Sequence, residues 1–178
     1  MLDENEKKQI EEWTNKKCSE IVYDTDRDGY PKDNTTMFED KVKGKGNLIF
    51  VIEDTNNNKF GGYLNATINQ VDKLINDPNS FKFSLKSNNR IKGMMKFEIQ
   101  SSYSQNAFKL YNKSNDLIFA FGNLSLWLKK ENKKSDSKCY QHNDRYNYHG
   151  TTNAFLENNR IENEVTFTPK RFVVIQMK

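Results

Sequence analysis

The chain has 178 residues and a net charge of +4, with 28 basic and 24 acidic residues interspersed along it. That is enough chain for one domain with one sizeable core, and too little excess charge to point by itself to a nucleic-acid partner. A hydrophobic fraction of 35% and a mean hydropathy of −0.94 lean towards disorder, but twelve Phe and eight Tyr supply large apolar areas to bury, so the expectation is a folded domain with a very polar surface.

In chain order, Ile10, Trp13, Lys17 and Ile21 lie at helical spacing, which predicts an amphipathic helix over residues 3–20 docked by Trp13, with Cys18 at the edge of that face as a buried or half-buried thiol. IVY (21–23) begins something extended. After the aspartates of YDTDRDGY (23–30), Thr36 precedes Glu39 by three in a capping-box pattern, with Asn34 and Thr35 as alternative caps. Met37, Phe38 and Val42 then predict a short helix stopped by Gly44.

The rest reads mostly as strand. NLIFVIED (47–54) is a continuous apolar run, expected as a central strand buried on both faces. TNNN is a turn and KFGGYLNA (59–66) its hairpin partner, in which Gly61 and Gly62 mark a bulge or a close backbone approach. VDKLIND (71–77) reads as one or two helical turns ended by Pro78. SFKFSL (80–85), MMKFEI (94–99) and LSLWLKK (124–130) alternate as half-buried strands do, AFKLYN and DLIFAF form a hairpin across KSND, and residues 171–177 form a last strand. Residues 129–153, rich in Lys, Asn, Asp and Ser, form the loosest region. Short helices followed by many hairpin-linked strands predict an α+β fold with an antiparallel β-sandwich core and short flanking helices. No linker is visible, so residues 1–20 are expected as an N-terminal helix attached to a single domain of residues 21–178.

Four groups of residues bear on chemistry. Asp24, Asp26, Asp28 and Gly29 begin as a calcium loop does, but position 12 of that loop would be Thr35 where a bidentate Glu is needed, and Pro31 stands at position 8. The turn reading is preferred: aspartates bonding their own backbone, with Gly29 at positive φ. Cys139, His142 and His149 have zinc-compatible spacing, but a fourth ligand would have to come from afar, from Cys18 or Asp144. No Ser or Cys nucleophile pattern, phosphate loop or dinucleotide fingerprint occurs, so the chain is expected not to be an enzyme and to need no metal or cofactor. Finally, Lys129, Lys130, Lys133, Lys134, Lys138 and Arg145, interleaved with Tyr140, Tyr146 and Tyr148, form a candidate polyanion-binding stretch, weighed against an ordinary hydrated loop.

The ordered set of segments resembles the TLDc domain, known from the oxidation-resistance proteins. Ile21–Tyr23 stands for its first strand and Arg27-Asp28-Gly29 for its R-D-G turn. Thr36–Val42 stands for its short helix, Lys45-Gly46 for its K-G turn, Leu48–Ile52 for its hydrophobic strand and Phe60-Gly61-Gly62-Tyr63 for its F-G-x-Y strand. SFKFSL, FAFGNLSLWL (119–128) and FTPKRFVVIQM (167–177) resemble its later strands. The glycine-rich turn before Leu124 is reduced here to Gly122-Asn123, and Val174-Ile175 replace the acidic-aromatic ending. The resemblance, spanning about residues 20–178, implies a structural role for Arg27, Asp28 and Gly29. It also implies a non-enzymatic protein-interaction module linked to oxidative stress, with subunits of the vacuolar proton-pumping ATPase as partners. The alternative is a nucleic-acid-binding or transcription-linked protein using residues 129–148. The charged N-terminus, MLDENEKKQIEEW, lacks the apolar run of a secretory leader, and no stretch nears the roughly 18 apolar residues of a membrane span. Two cysteines fit a reducing, cytoplasmic setting, with the nucleus as the alternative.

Overall fold

The computed structural model describes residues 2–141, 145–157 and 164–178. Helix α1 (Glu4–Thr14) leads into β1 (Cys18–Asp24), a single helical turn α2 (Thr25–Asp28) and α3 (Met37–Val42). Strands β2 (Leu48–Asp54), β3 (Lys59–Leu64), β4 (Leu74–Ile75), β5 (Phe81–Lys86) and β6 (Met95–Glu98) follow. Next come β7 (Phe108–Leu110), β8 (Leu117–Phe121), β9 (Leu126–Lys129), β10 (Ser137–Tyr140), β11 (Glu164–Phe167) and β12 (Pro169–Met177), with 3₁₀ turns at Ser101–Asn106 and Glu131–Asp136.

The strands form two antiparallel sheets of six, ordered β1-β12-β2-β3-β5-β6 and β11-β10-β9-β8-β7-β4. They face each other across an aromatic core: the Phe50 ring of β2 lies 5.2 Å from Phe108, 4.9 Å from Phe119 and 5.3 Å from Phe121, all on the second sheet. This is the α+β sandwich that the strand pattern predicts. The apolar run 47–54 is central as expected, because its inward residues meet this core while Ile49 and Val51 meet a second cluster on the outer face of the first sheet. Helix α1 covers that outer face. Ile10 is fully buried there, and Trp13 packs 6.3 Å from Phe81 and 6.1 Å from Phe83.

Three elements differ from their sequence reading. Helix α1 ends at Thr14 rather than running to residue 20, because Asn15 takes the left-handed conformation (φ 52°) and its N–H bonds the Glu11 carbonyl. Lys17 then exchanges backbone hydrogen bonds with Lys178, which turns Cys18–Asp24 into an edge strand and leaves Lys17 and Ile21 exposed. The helix begins with a capping box between Asp3 and Glu6. The second capping box, Thr36 with Glu39, does not form: Thr36 is the N-cap, but its hydroxyl donates to Asp40. Residues 71–77 are not helical. Within them Leu74–Ile75 forms the short strand β4 beside β7, and Asp77 ties the following corner by accepting from the Asn65, Ala66 and Asn79 amides.

Gly61 and Gly62 mark a close approach rather than a bulge in the β2–β3 pair, which keeps register through them. A Cβ on Gly61 would lie 1.8 Å from the Phe50 carbonyl oxygen, and one on Gly62 would lie 2.7 Å from the Phe121 ring. The stretch 129–153 holds more structure than a loose loop, including β10 and a segment that fills the interior under β5.

Candidate functional site

The aspartate turn is an ion-pair hub. Asp24 caps α2 through the Asp26 amide, and Arg171 on the neighbouring β12 donates to both its oxygens at 3.0 and 2.6 Å. Arg171 also lies 2.9 Å from Asp26. Asp28 accepts from Arg27 at 3.0 and 2.8 Å, from Lys41 of α3 at 2.7 Å and from the Asp24 amide at 3.0 Å. The Arg27 guanidinium, followed by Lys41, outweighs burial and holds the Asp28 carboxyl well below its usual range. Burial works to raise Asp24, yet its bonds to Arg171 and the Asp26 amide leave it lowered too. These carboxylates are thus turned to cationic side chains. Tyr23 Oη donates to the Gly29 carbonyl at 2.6 Å, and Gly29 has φ +82°. Arg27 reaches the Ile21 and Val22 carbonyls at 3.4–3.5 Å, beside the sheet's edge strand β1, and so blunts that edge with a charge. Lys41 and Arg171 are parts of this hub that no local pattern marks, since both are distant in sequence.

The lysine stretch is dispersed by the fold. Lys130 is buried, donates to the Lys113 carbonyl and is held below the usual lysine range by burial. Lys133 pairs with Asp116 at 2.6 Å, Lys138 with Glu164, and Lys129 lies 3.8 Å from Asp136. Lys134 sits 5.2 Å over the Tyr30 ring. Arg145 stacks 5.9 Å from Tyr103, its carbonyl accepts from the Gln100 amide, and its Nε is buried without a hydrogen-bond partner. Of the interleaved tyrosines, Tyr146 and Tyr148 are buried in the core rather than presented to solvent.

The cysteines and described histidine do not converge. Cys18 lies on the helix-covered face 3.8 Å from Met177 Sδ, while Cys139 is fully buried between the sheets. Burial, then the Glu11 charge, pushes the Cys18 thiol up, which disfavours the thiolate that peroxide chemistry requires. His149 lies 3.3 Å from Glu98 at a surface cleft of about 390 Å³ that it lines with Gln100 and Asn147. His142 and Asp144 lie outside the described residues. Among the described residues no cluster of three His, Cys, Asp or Glu side chains is placed to hold a metal ion, and no helix is long and apolar enough to cross a membrane.

The alternation of FKFSL conceals a residue that sequence reasoning missed. Lys82 faces inward from β5 and is fully buried. Its ammonium donates to the Tyr140 carbonyl at 2.9 Å and to Ser125, and the Tyr146, Tyr148 and Phe155 rings stand 4.7, 5.0 and 5.1 Å from it. Nearby, Ser84 donates to the Ala154 carbonyl and Arg90 to those of Asn153 and Phe155, while Gln141 bonds both amide and carbonyl groups of the same segment. These side chains strap residues 145–157 across the sandwich. The strapping satisfies the polar backbone of a buried irregular segment.

The second sheet presents a different surface. Its outer row runs across the strands as Thr166, Lys138, Trp127, Ala120, Lys109 and Leu74, each opposite the next. Tyr140 flanks Trp127 at 6.2 Å, and Lys109 lies 4.6 Å over the Tyr111 ring. No curated protein matches the chain. The model of one family, described as the TLDc domain, matches residues 1–172, nearly the whole length, including helix α1. With an antiparallel α+β sandwich whose R-D-G turn, F-G-G-Y strand and L-W-L strand stand in one fold, the chain belongs to the TLDc domain family.

Proposed function

We propose that this protein is a non-enzymatic interaction module of the oxidative-stress response, working in the cytoplasm by binding subunits of the vacuolar proton-pumping ATPase. The observation that carries the reading is the family match over residues 1–172, because the TLDc family is an oxidative-stress-related one. The disposition of the lysines adds to it. A polyanion site needs several cations free to meet phosphates, whereas Lys133, Lys138 and Lys129 lie beside carboxylates and Lys130 is buried. The rise in the Cys18 pKa supports action by contact rather than by thiol chemistry.

The test is a pull-down from the source cell's lysate at low and high salt, with a nuclease-treated control. Vacuolar ATPase subunits should be enriched and persist in high salt, because desolvated apolar anchors dominate protein interfaces. Capture of nucleic acid, or of proteins that vanish with nuclease or salt, would overturn the reading. It would also return Lys129, Lys133 and Lys134 to the centre, to be replaced by Gln.

A further inference from the structure

We infer that the outer face of the second sheet is the docking surface of this module and that its occupant is an acidic amphipathic helix of the partner protein. The inference rests on the interaction-module reading and adds to it the place and the chemistry of the contact. The two sheets of the sandwich are treated unequally. The outer face of the first is closed by α1, whose Ile10 and Trp13 supply the apolar contact and whose Glu6 meets the sheet's Lys59 at 2.8 Å. Helix α1 therefore shows, within this molecule, what covers a face of this sandwich: a helix with an apolar stripe and a carboxylate at its flank, set against a lysine of the sheet.

The outer face of the second sheet has the same ingredients with no α-helix upon it among the described residues, since α2 and α3 pack beside β1 and β12. Its centre is Ala120, between Trp127 and Lys109. Ala120 points outward from β8, away from the core cluster, yet is fully buried, so the side chains around it, with Trp127 and Lys109 directly opposite, close over it. Trp127, Tyr140 and Tyr111 are half-buried around that centre, and Leu74 at the rim is 44% exposed. Trp and Tyr are the residues that most often anchor protein interfaces. Lysines ring the centre: Lys109, Lys129 and Lys138.

The charges choose between occupants. A single strand of nucleic acid would stack on these rings but would also need several unpaired cations along its backbone. Here Lys138 is held by Glu164 and Lys129 faces Asp136, whereas Lys109 lies over Tyr111 with no carboxylate among the described ion pairs. One open cation beside an apolar platform fits a helix flank carrying isolated carboxylates, as Lys59 fits Glu6.

The probe is a fluorescein-labelled 18-residue helical peptide with a leucine stripe flanked by Glu, titrated by anisotropy against the whole chain. A Lys-flanked peptide of the same stripe and a twelve-residue oligo-dT serve as comparisons. Saturable micromolar binding of the Glu-flanked peptide is expected. Trp127→Ala should weaken it about tenfold or more, the loss typical of a central aromatic anchor. Lys109→Glu, with its urea midpoint measured alongside because Lys109 is half-buried beside Tyr111, should weaken the Glu-flanked peptide and favour the Lys-flanked one. Absence of saturation, equal binding by both variants, tighter binding of oligo-dT lost in Trp127→Ala, or self-association through Trp127 would each overturn the inference. The pull-down separates the two readings. If Trp127→Ala still captures ATPase subunits, the docking face is wrong and the module stands. If the wild type captures none while the peptide binds, the face stands and the ATPase reading falls.

Discussion

Gly61 has no room for a side chain. A Cβ there would sit 1.8 Å from the Phe50 carbonyl oxygen, and backbone cannot step aside as the end of a flexible side chain can. Gly61→Ala should cost about 3 kcal/mol or more, the upper end of overpacking penalties, read from the shift in urea midpoint. Gly62→Ala meets the Phe121 ring instead and should cost about 1–3 kcal/mol. The two glycines inside an apolar strand were legible as either a bulge or a close approach, and only the unbroken β2–β3 register decides for the close approach. Lys82 was not legible. In FKFSL it stands where alternation puts a solvent-facing residue, and only the segment 145–157 folding over β5 buries it. Likewise Lys130 and Lys133 read as one basic run, although the backbone turns one inward to the Lys113 carbonyl and the other outward to Asp116.

Among elements, α1 and the aspartate turn make the clearest expectations. Ile10 is the fully buried residue of α1, so Ile10→Ala should cost about 2–5 kcal/mol and loosen the helix from the first sheet, detectable as faster amide exchange in residues 4–14. The turn gives a pH dependence. The Asp28 carboxyl is depressed in the fold by Arg27 and Lys41, so its contribution is present above the unfolded carboxyl range, near pH 4, and is lost as pH falls below that towards its folded value. Wild type should therefore lose stability steeply below about pH 4, measured as the urea midpoint against pH, and Asp28→Asn should show a shallower acid limb. An acid limb unchanged in Asp28→Asn would remove this carboxylate from the linkage. The sequence marked Arg27, Asp28 and Gly29 as a structural turn by resemblance. Its partners Lys41 and Arg171 became visible only when α3 and β12 were brought beside it.

At the scale of the whole molecule, the 145–157 segment joins the sheets through the polar strap centred on Lys82. Lys82→Ala removes charge-assisted hydrogen bonds and ring contacts from a fully buried site and should cost about 2–4 kcal/mol. The loss should appear first as protease cleavage within 145–157 while the β2–β12 pairing stays protected. Protection lost uniformly over the chain would mean instead that the strap and the sheets unfold as one unit.

The sequence by itself determined the class of fold, the central position of 47–54, the hairpins and the family. These rest on period-two alternation, turn residues and the order of local motifs, all of which act over a few neighbouring residues. The tertiary structure alone decided where α1 stops, that Leu74–Ile75 is a strand, which lysines are buried or paired, and which sheet is left without an α-helix on its outer face among the described residues. Each of those depends on groups far apart in the chain, such as Lys17 with Lys178, Leu74 with Lys109 and Lys82 with Tyr140, whose pairing energies no local pattern encodes.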